Sequence, residues 1–427
     1  MNIESQIIQY YLQDDEDLKE YVEIFEILKP HQRALIDKRM SMDIADIFYQ
    51  LGFKNKSTLI KECNSIKFLQ QCITNEEHKH FTASYCRDRF CPICSHRKSH
   101  VESEMLKNIM NSIAKDKNYK NSYLIFITLT QKNVKVGELA EEIDKINNAV
   151  KHWFKTDKLF KDTKVKVFDK KTNKPKIKTK KAIVQGTVRH LEITSNWSKK
   201  DKDIYFHPHL HIMALVKKSY FSDKSVKQWT TESLWKMWRD EMNLDYNPNV
   251  DIRLVRNESD DKTTILKNNL DNLELDGAIK EICKYSTKET DIMKFDIDKE
   301  GKININWSDS KIILRELYIS LKHKRLLVMT GAFKKTKERL YGKKNSDDLV
   351  NELTNEDMIQ IFKNRCKQCG SPITEHLLKY GPLTKNYYEL GEKARESYKK
   401  NMNDIVINSI RKKQKKSDVS YQQTSDD

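Results

Sequence analysis

Apolar residues recur early in the chain at helical spacing: Ile44, Ile47, Phe48 and Leu51 stand at i, i+3, i+4 and i+7, with Gly52 behind them as a stop signal. The N-terminal ~60 residues therefore read as helical. A later helix carries Met105, Leu106, Ile109, Met110 and Ile113 on one face, and another carries Leu139, Ile143, Ile146, Val150 and Trp153. Between them Tyr123–Thr130 (YLIFITLT) is short, β-branched and aromatic, the composition of a buried strand. Two further strands are expected over Ala182–Thr194 and Ile204–Val216. A helix holding Val226, Trp229, Trp235 and Trp238 should follow, then a strand at Val250–Val255. The pattern predicts a helix around Ile279–Lys288, helix then strand over Lys311–Lys334, and helix again from Asp347 onward. Lys164-Val165-Lys166-Val167 alternates within the lysine-rich stretch Lys155–Lys181, which is either an exposed basic hairpin or a long loop. Past Arg411 the chain is polar and almost free of apolar residues, the composition of a disordered tail.

Composition changes the picture in one respect. The 427 residues include 79 Lys and Arg against 62 Asp and Glu, a net charge of +17, and such a surplus points to a polyanionic partner. A phosphate backbone would reward it by counterion release, and an anionic membrane surface could reward it too. With 38% hydrophobic residues the chain can still build cores, so wholesale disorder is excluded. No run of ~18 apolar residues is present to span a bilayer. Met1–Asp14 lacks the basic and apolar regions of a secretory signal, so the expected location is the cell interior, the cytoplasm. There, eight cysteines in short-spaced groups read as reduced thiols or metal ligands rather than disulfides.

Three groups of residues could carry chemistry. In Phe206-His207-Pro208-His209-Leu210-His211 the histidines alternate along a strand and share one face, where two imidazoles can grip a divalent ion. Glu192, on the preceding strand, is the candidate third ligand once a hairpin brings it alongside. Any one histidine is more often a packing residue; three at this spacing beside an acidic strand point to a metal. In Glu281-Ile-Cys-Lys-Tyr285-Ser-Thr-Lys288, a helix would set Glu281 and Tyr285 one turn apart. Alone that pair is usually structural, and it gains weight only if the fold brings it to the histidines. Cys86-x4-Cys91-Pro-Ile-Cys94, with Cys63 or Cys72 upstream, can supply four thiolates to a structural Zn²⁺, and Arg87, Arg89, Arg97 and Lys98 around it could contact phosphate. Cys366-Lys-Gln-Cys369-Gly370 is half a zinc ribbon without a local partner pair; it could join Cys72 or a histidine, or bind nothing. Cys283 reads as packing. The tryptophans read as core rather than base-stacking platforms. The lysine run is either a solvated face or a nonspecific contact to a DNA backbone.

In order, FITLTQKN, HPHLHIMALV and KYSTKETD, together with RFCPICSHRKS, HLEITSN, YNPNVDIR and LKHKRLLVMTGAFK, resemble the replication initiator (Rep) proteins of Gram-positive rolling-circle plasmids. These belong to the HUH endonuclease superfamily, and the similarity is to the branch with a single catalytic tyrosine preceded by a glutamate. The resemblance, spanning roughly Cys63 to Lys334, implies that His209 and His211 bind a catalytic Mg²⁺ or Mn²⁺, with Glu192 a plausible third ligand. It implies that Tyr285 attacks a DNA phosphate, leaving a 5′-phosphotyrosine and a 3′-OH primer. Glu281 would then activate water or assist a second strand attack, and Lys288 would stabilise the transferring phosphate. No second tyrosine lies one or two turns from Tyr285, so terminating the round falls to Glu281. For the zinc group the resemblance favours Cys63 over Cys72.

The fold expected is α+β. A central antiparallel sheet of HUH type would carry the histidines on a middle strand, with flanking helices. An N-terminal helical and zinc-binding region (1–115) would precede the nicking domain (116–300), followed by a C-terminal helical region (301–410) and the tail (411–427). The expected partners are plasmid origin DNA, single-stranded or as an extruded hairpin, and a host helicase and polymerase. Other HUH nucleases fit less well: relaxases commonly place the tyrosine near the N-terminus, and transposases are usually far shorter. A zinc-dependent DNA-binding regulator without nuclease activity is the non-enzymatic alternative.

Overall fold

Helix α1 (Pro30–Gln50) buries Ile44, Ile47 and Phe48, and Gly52 behind it takes a left-handed φ of +87°. The structure, a computed structural model, describes residues 10–11, 30–119, 122–168, 175–198, 201, 203–255, 273–283, 289–299, 302–343, 363 and 365–402. After α1 come α2 (Lys54–Glu62), β1 (Ile66–Cys72), β2 (Lys79–Ala83) and α3 (Pro92–Lys115), whose Met105, Leu106, Ile109, Met110 and Ile113 are all buried. Next are β3 (Ser122–Thr130), β4 (Val134–Lys135), α4 (Leu139–Thr156), β5 (Thr163–Phe168), β6 (Pro175–Lys180), β7 (Val184–Ser198) and β8 (Asp203–Lys217). They are followed by α5 (Ser219–Ser222), α6 (Thr231–Met242), β9 (Val250–Leu254), α7 (Leu273–Ile282), α8 (Glu289–Ile292), β10 (Phe295–Ile297) and β11 (Ile303–Ile305). The last elements are α9 (Trp307–Ser320), β12 (Leu327–Met329), α10 (Gly331–Tyr341), β13 (Ile373–Gly381), β14 (Asn386–Leu390) and a helix at 392–402.

The chain forms two compact units, one over Ser99–Lys344 and the other joining Ile8–Lys98 to Asn345–Asp427. In the first, an antiparallel sheet runs β12-β7-β8-β3-β9, with β4 paired to the early part of β8. The central β8 alternates buried and half-buried residues up to His209 and is then buried without a break from Leu210 to Val216. Continuous burial of this kind marks a strand covered on both faces. Pro208 falls where the ladder on one side is already interrupted, between the pairing of His209 with Thr130 and that of Phe206 with Val134, a place a proline without an N–H tolerates. Helix α4 buries its predicted stripe, Leu139, Ile143, Ile146, Val150 and Trp153. The second unit holds a sheet of order β14-β13-β1-β2, where Phe68 and Leu377 pack with Ile66, Leu390 and Tyr398.

Four readings of the pattern meet the structure differently. The basic stretch is a hairpin: β5 and β6 pair antiparallel, with Lys166 opposite Ile177, and Lys164, Lys166, Lys176 and Lys178 are exposed. Val226 and Trp229 precede helix α6 rather than lie on it, because Thr230 and Ser233 exchange side-chain to backbone hydrogen bonds that start the helix at Thr231. Trp229 packs all the same, its ring 5.4 Å from that of Trp153 and its indole N–H donating to Asp157. After β12 the chain turns into α10 from Gly331, where strand was expected to continue. The residues read as helical beyond Asp347, within the 301–410 region, include β13 and β14. Their apolar residues follow no strict alternation, and β1, the strand that β13 pairs with, lies some three hundred residues earlier. Among the described residues no helix is long and apolar enough to cross a membrane.

Where α10 crosses β7 the backbones touch. A Cβ on Gly186 would lie 2.7 Å from the Ala332 nitrogen, and one on Gly331, at φ +55°, would lie 2.2 Å from the Gln185 carbonyl oxygen. Gly331→Ala therefore adds both a clash and a strained φ, and should destabilise this unit by roughly 2–4 kcal/mol. The urea midpoint of the full chain measures it; an unshifted midpoint would show that the crossing yields.

Candidate active site

The β7–β8 ladder sets Glu192 opposite His209 and His190 opposite His211. Side chains two apart on one strand share a face, so Glu192 meets both His209, across from it, and His211, on the diagonal. The His209 Nε2 lies 3.1 Å and the His211 Nε2 3.2 Å from the same Glu192 oxygen, Oε2. Glu192 is 2% exposed and His211 5%, so the carboxylate and one imidazole are out of water. Burial alone would raise the Glu192 carboxyl, but the hydrogen bonds from His209 and His211 and their charge outweigh it and hold it well below the usual carboxylate range.

The other ring nitrogens orient the two imidazoles. His209 Nδ1 faces its own strand's His207 carbonyl at 3.4 Å, and a carbonyl can only accept. With its proton on Nδ1 a neutral His209 would offer the Nε2 lone pair to a metal, whereas a protonated one would donate Nε2–H to Glu192. His211 Nδ1 lies 3.2 Å from the Thr128 hydroxyl, on the other neighbouring strand, which aims its Nε2 at the same point. Both Nε2 atoms and the Glu192 oxygen converge on one point, an arrangement that a shared proton or a cation holds together. The separations suit a cation: cis ligands about 2.1 Å from an octahedral ion stand about 3.0 Å apart. Glu192, His209 and His211 offer donor atoms all within 4.8 Å of one another, a mixed nitrogen and oxygen set of the kind that takes first-row divalent ions. His207 turns instead to Asn133, 2.8 Å away, and stands outside the triad. Burial and the charge of His209 push its pKa down.

Helix α7 brings Glu281 to the same point. Its carboxylate lies 3.5 Å from His211 Nε2 and its side chain is 27% exposed, against 3% for Glu192. Just beyond α7, the Cys283 carbonyl accepts a 2.6 Å hydrogen bond from Ser99. On the far side of residues 284–288, Asp291 accepts from the Ser195 N–H, and its carbonyl from the Ser195 hydroxyl, on β7. Tyr285 and Lys288 themselves, and the expected helical continuation to Lys288, lie outside the described residues. Cys283 is buried, as a packing residue would be. Thr128 and the Ser195–Asp291 pair were not singled out from sequence; Thr128 stands two residues before the threonine that ends the strand.

In the second unit, Cys63, Cys86, Cys91 and Cys94 bring four sulfurs within 4.8 Å of one another. Cys63 and Cys86 each stand 3.6 Å from Cys94, close to the tetrahedral edge of about 3.8 Å that Zn–S bonds of about 2.3 Å produce. Backbone N–H groups of Cys86 and Arg87 point at Cys63 and Cys94 sulfurs. Asn64 and Arg87, each directly after a cysteine, take left-handed φ angles of 56° and 61° that fold the backbone back over the sulfurs. The ammonium of Lys38, fully buried, bonds the carbonyls of Lys61 and Cys63, and burial lowers its pKa to about 8 against the pull of nearby cysteines. Crowding splits the thiols: hydrogen bonds from Cys63, Cys86 and Cys94 depress Cys91, while Cys63 and Cys86 are pushed up. A divalent ion would draw the protons from all four. The fourth sulfur here is Cys63. Cys72 lies elsewhere, with Cys366, Cys369 and His78, a histidine not named from sequence.

A family model described as "Replication protein" matches residues 77–368. Among curated proteins, a "Protein rep" of Streptococcus pneumoniae serotype 2 (strain D39 / NCTC 7466) is 30% identical over 305 residues, covering 71% of this chain and 78% of the other. A "Protein rep" of Staphylococcus aureus is 31% identical over 241 residues, 56% of this chain and 85% of that one. One of Lentilactobacillus hilgardii is 24% identical over 328 residues, 76% and 87% of the two chains. No solved structure matches.

Mn²⁺ titration of the full chain, followed by the electron paramagnetic resonance of free Mn²⁺, tests the triad. Glu192→Gln should weaken binding by at least about tenfold, and Thr128→Val, which frees the His211 ring, by about tenfold or somewhat more. Equal affinity in wild type and Glu192→Gln would remove this carboxylate from the site.

Proposed function

The chain belongs to the replication protein family, and from that premise we propose that it initiates plasmid rolling-circle replication by nicking and rejoining one DNA strand through Tyr285. The observation that carries this reading is the convergence of Glu192, His209 and His211 with Glu281 at their edge. Tyr285 follows Glu281 by four positions, a covalent reach of at most about 14 Å between their Cα atoms. Both flanks of residues 284–288 are tied by hydrogen bonds, Cys283 to Ser99 and Asp291 to β7.

In this reading Glu192, His209 and His211 hold Mg²⁺ or Mn²⁺, whose charge would draw electron density from the scissile phosphate. As the Tyr285 hydroxyl attacks phosphorus its proton passes by way of water to the departing 3′ oxygen, a transfer that a tyrosine, whose model-compound pKa is near 10, needs in order to act at neutral pH. The 3′ oxygen leaves as the primer, and the 5′ phosphate stays on tyrosine as an ester that keeps the bond energy for rejoining. Lys288 offsets the charge that builds on the phosphate oxygens. Glu281, about a quarter exposed beside the histidines, takes the proton from the water or 3′-OH that later releases the strand. The cysteine group Cys63, Cys86, Cys91 and Cys94 holds a structural Zn²⁺. Plasmid origin DNA is the substrate, a host helicase and polymerase the partners, and the cytoplasm the setting.

The decisive assay incubates full-length protein with labelled single strands tiled across the DNA flanking its gene, with Mn²⁺ or with EDTA, and looks for a covalent band under denaturing conditions. Wild type should give a band that needs metal, and Tyr285→Phe none, with DNA binding nearly unchanged. Glu281→Ala should still form the adduct but terminate poorly, giving products beyond one unit length. DNA binding without an adduct on any tile would favour the zinc-dependent regulator instead.

The β5–β6 hairpin gives the electrostatic counterpart, since its exposed lysines stand on both faces of a two-stranded ribbon. Alanine at Lys164, Lys166, Lys176 and Lys178 should lower the slope of log K against log salt by about 0.9 for each duplex phosphate the ribbon no longer neutralises, about 0.7 on single strands. An unchanged slope would return the ribbon to a solvated face.

A further inference from the structure

We propose that Cys72, His78, Cys366 and Cys369 form a second metal centre, a structural Zn²⁺ site of three thiolates and one imidazole that clips the β13–β14 hairpin to β1. All four donors lie in the second unit, with their ligand atoms within 4.8 Å of one another. The Cys72 and Cys369 sulfurs stand 3.5 Å apart, and the Cys366 sulfur stands 3.8 Å from His78 Nδ1. Tetrahedral zinc sets a sulfur–sulfur edge of about 3.8 Å and a sulfur–nitrogen edge of about 3.6 Å. A disulfide between Cys72 and Cys369 would need the sulfurs at about 2.05 Å, and would leave Cys366 and His78 converging on nothing.

The backbone around the pair is built as it is around the four-cysteine group. Gly370, directly after Cys369, takes φ +73°, as Asn64 and Arg87 do after Cys63 and Cys86. The Gly370 N–H donates to the Cys366 carbonyl at 2.9 Å, and the Cys366 N–H to the Ser371 carbonyl at 2.8 Å, closing a tight knuckle. Arg365 and Pro372 bridge across its base. On the other side, Cys72 closes strand β1 opposite Ile373, and the Ile73 N–H donates to the Pro372 carbonyl. The His78 N–H reaches the Asn75 carbonyl, so a short turn carries the imidazole back over Cys72. Three thiolates select a soft or borderline ion, which favours zinc over Mg²⁺ or Ca²⁺.

The two centres differ in what they join. The four-cysteine group closes a local stretch, from Cys63 to Cys94. The second joins residues 297 positions apart, Cys72 and Cys369, and so removes far more freedom from the unfolded chain. β13 already pairs with β1 along its whole length; the ion would fasten the end of that ladder.

The test counts zinc in the full-length chain, purified under reducing conditions and exchanged free of loose metal. Elemental analysis should find two zinc ions per wild-type chain, one in Cys366→Ser/Cys369→Ser and one in Cys91→Ser/Cys94→Ser. Wild type with a single ion, or the Cys366/Cys369 variant still holding two, overturns the proposal. A second readout needs no variant. Cys369 is exposed, so an alkylating reagent should reach it at once in metal-free protein; with zinc bound, Cys72, Cys366 and Cys369 should all resist, and a chelator should release them together. Prompt alkylation of Cys369 in the zinc-loaded chain, or a Cys72–Cys369 disulfide in protein kept anaerobic and reduced, would equally overturn it.

Discussion

Glu192 stands opposite His209 in the β7–β8 ladder, and the candidate centre depends on that pairing. Side chains on a strand alternate between faces, so a slip of one residue would send His209 and His211 to the far side of the sheet from Glu192. Several features oppose a slip. Leu210 to Val216 form a continuous buried run, so moving β8 by one position would drag a core through the sheet. The irregular step at Val184 and Gly186 is locked by the close crossing of Gly331. At the other end of β7, Ser195 is tied to Asp291 through both its backbone and its hydroxyl. The same ladder therefore positions the triad and anchors one flank of the residues that carry Tyr285.

Much of this was legible because the signals were local. The stripes on α3 and α4, the buried run of β3 and the spacing of the histidines each lie within one element, where period alone separates faces. Glu192 could be named as well, since a hairpin is the shortest way to set two adjacent strands side by side. The β13–β14 hairpin was not legible: it is half-exposed, and its strand character comes from a partner hundreds of residues away. The choice between Cys63 and Cys72 was open for a related reason. Both lie upstream of the Cys86–Cys94 knuckle, and only the long-range pairing of β1 with β13 carries Cys72 off to Cys366 and Cys369. Helix α6 shows a smaller failure: Val226 and Trp229 stand three apart, the spacing of a helical turn, yet a capping pair one residue later begins the helix without them. Local chemistry at a helix end outweighs a periodic pattern that packing alone would have satisfied.

Two carboxylates approach the histidines, and their surroundings suit them to different tasks. Glu192 is nearly sealed from water and flanked by two imidazole nitrogens, which suits it to a fixed place in the group rather than to exchange with solvent. Glu281 touches only the edge of the group, at 3.5 Å from His211, and keeps about a quarter of its side chain exposed. A residue that must meet a water or a second DNA end needs that access, and one that must hold a cation through a whole round does not. The same division recurs wherever paired carboxylates act as acid or base and as stabiliser: environment, not residue type, assigns the role. In the proposed reaction this is what lets one tyrosine suffice. There the buried carboxylate keeps its place as a ligand, while Glu281, four positions before Tyr285 in the chain and reached by water, activates what resolves the phosphotyrosine.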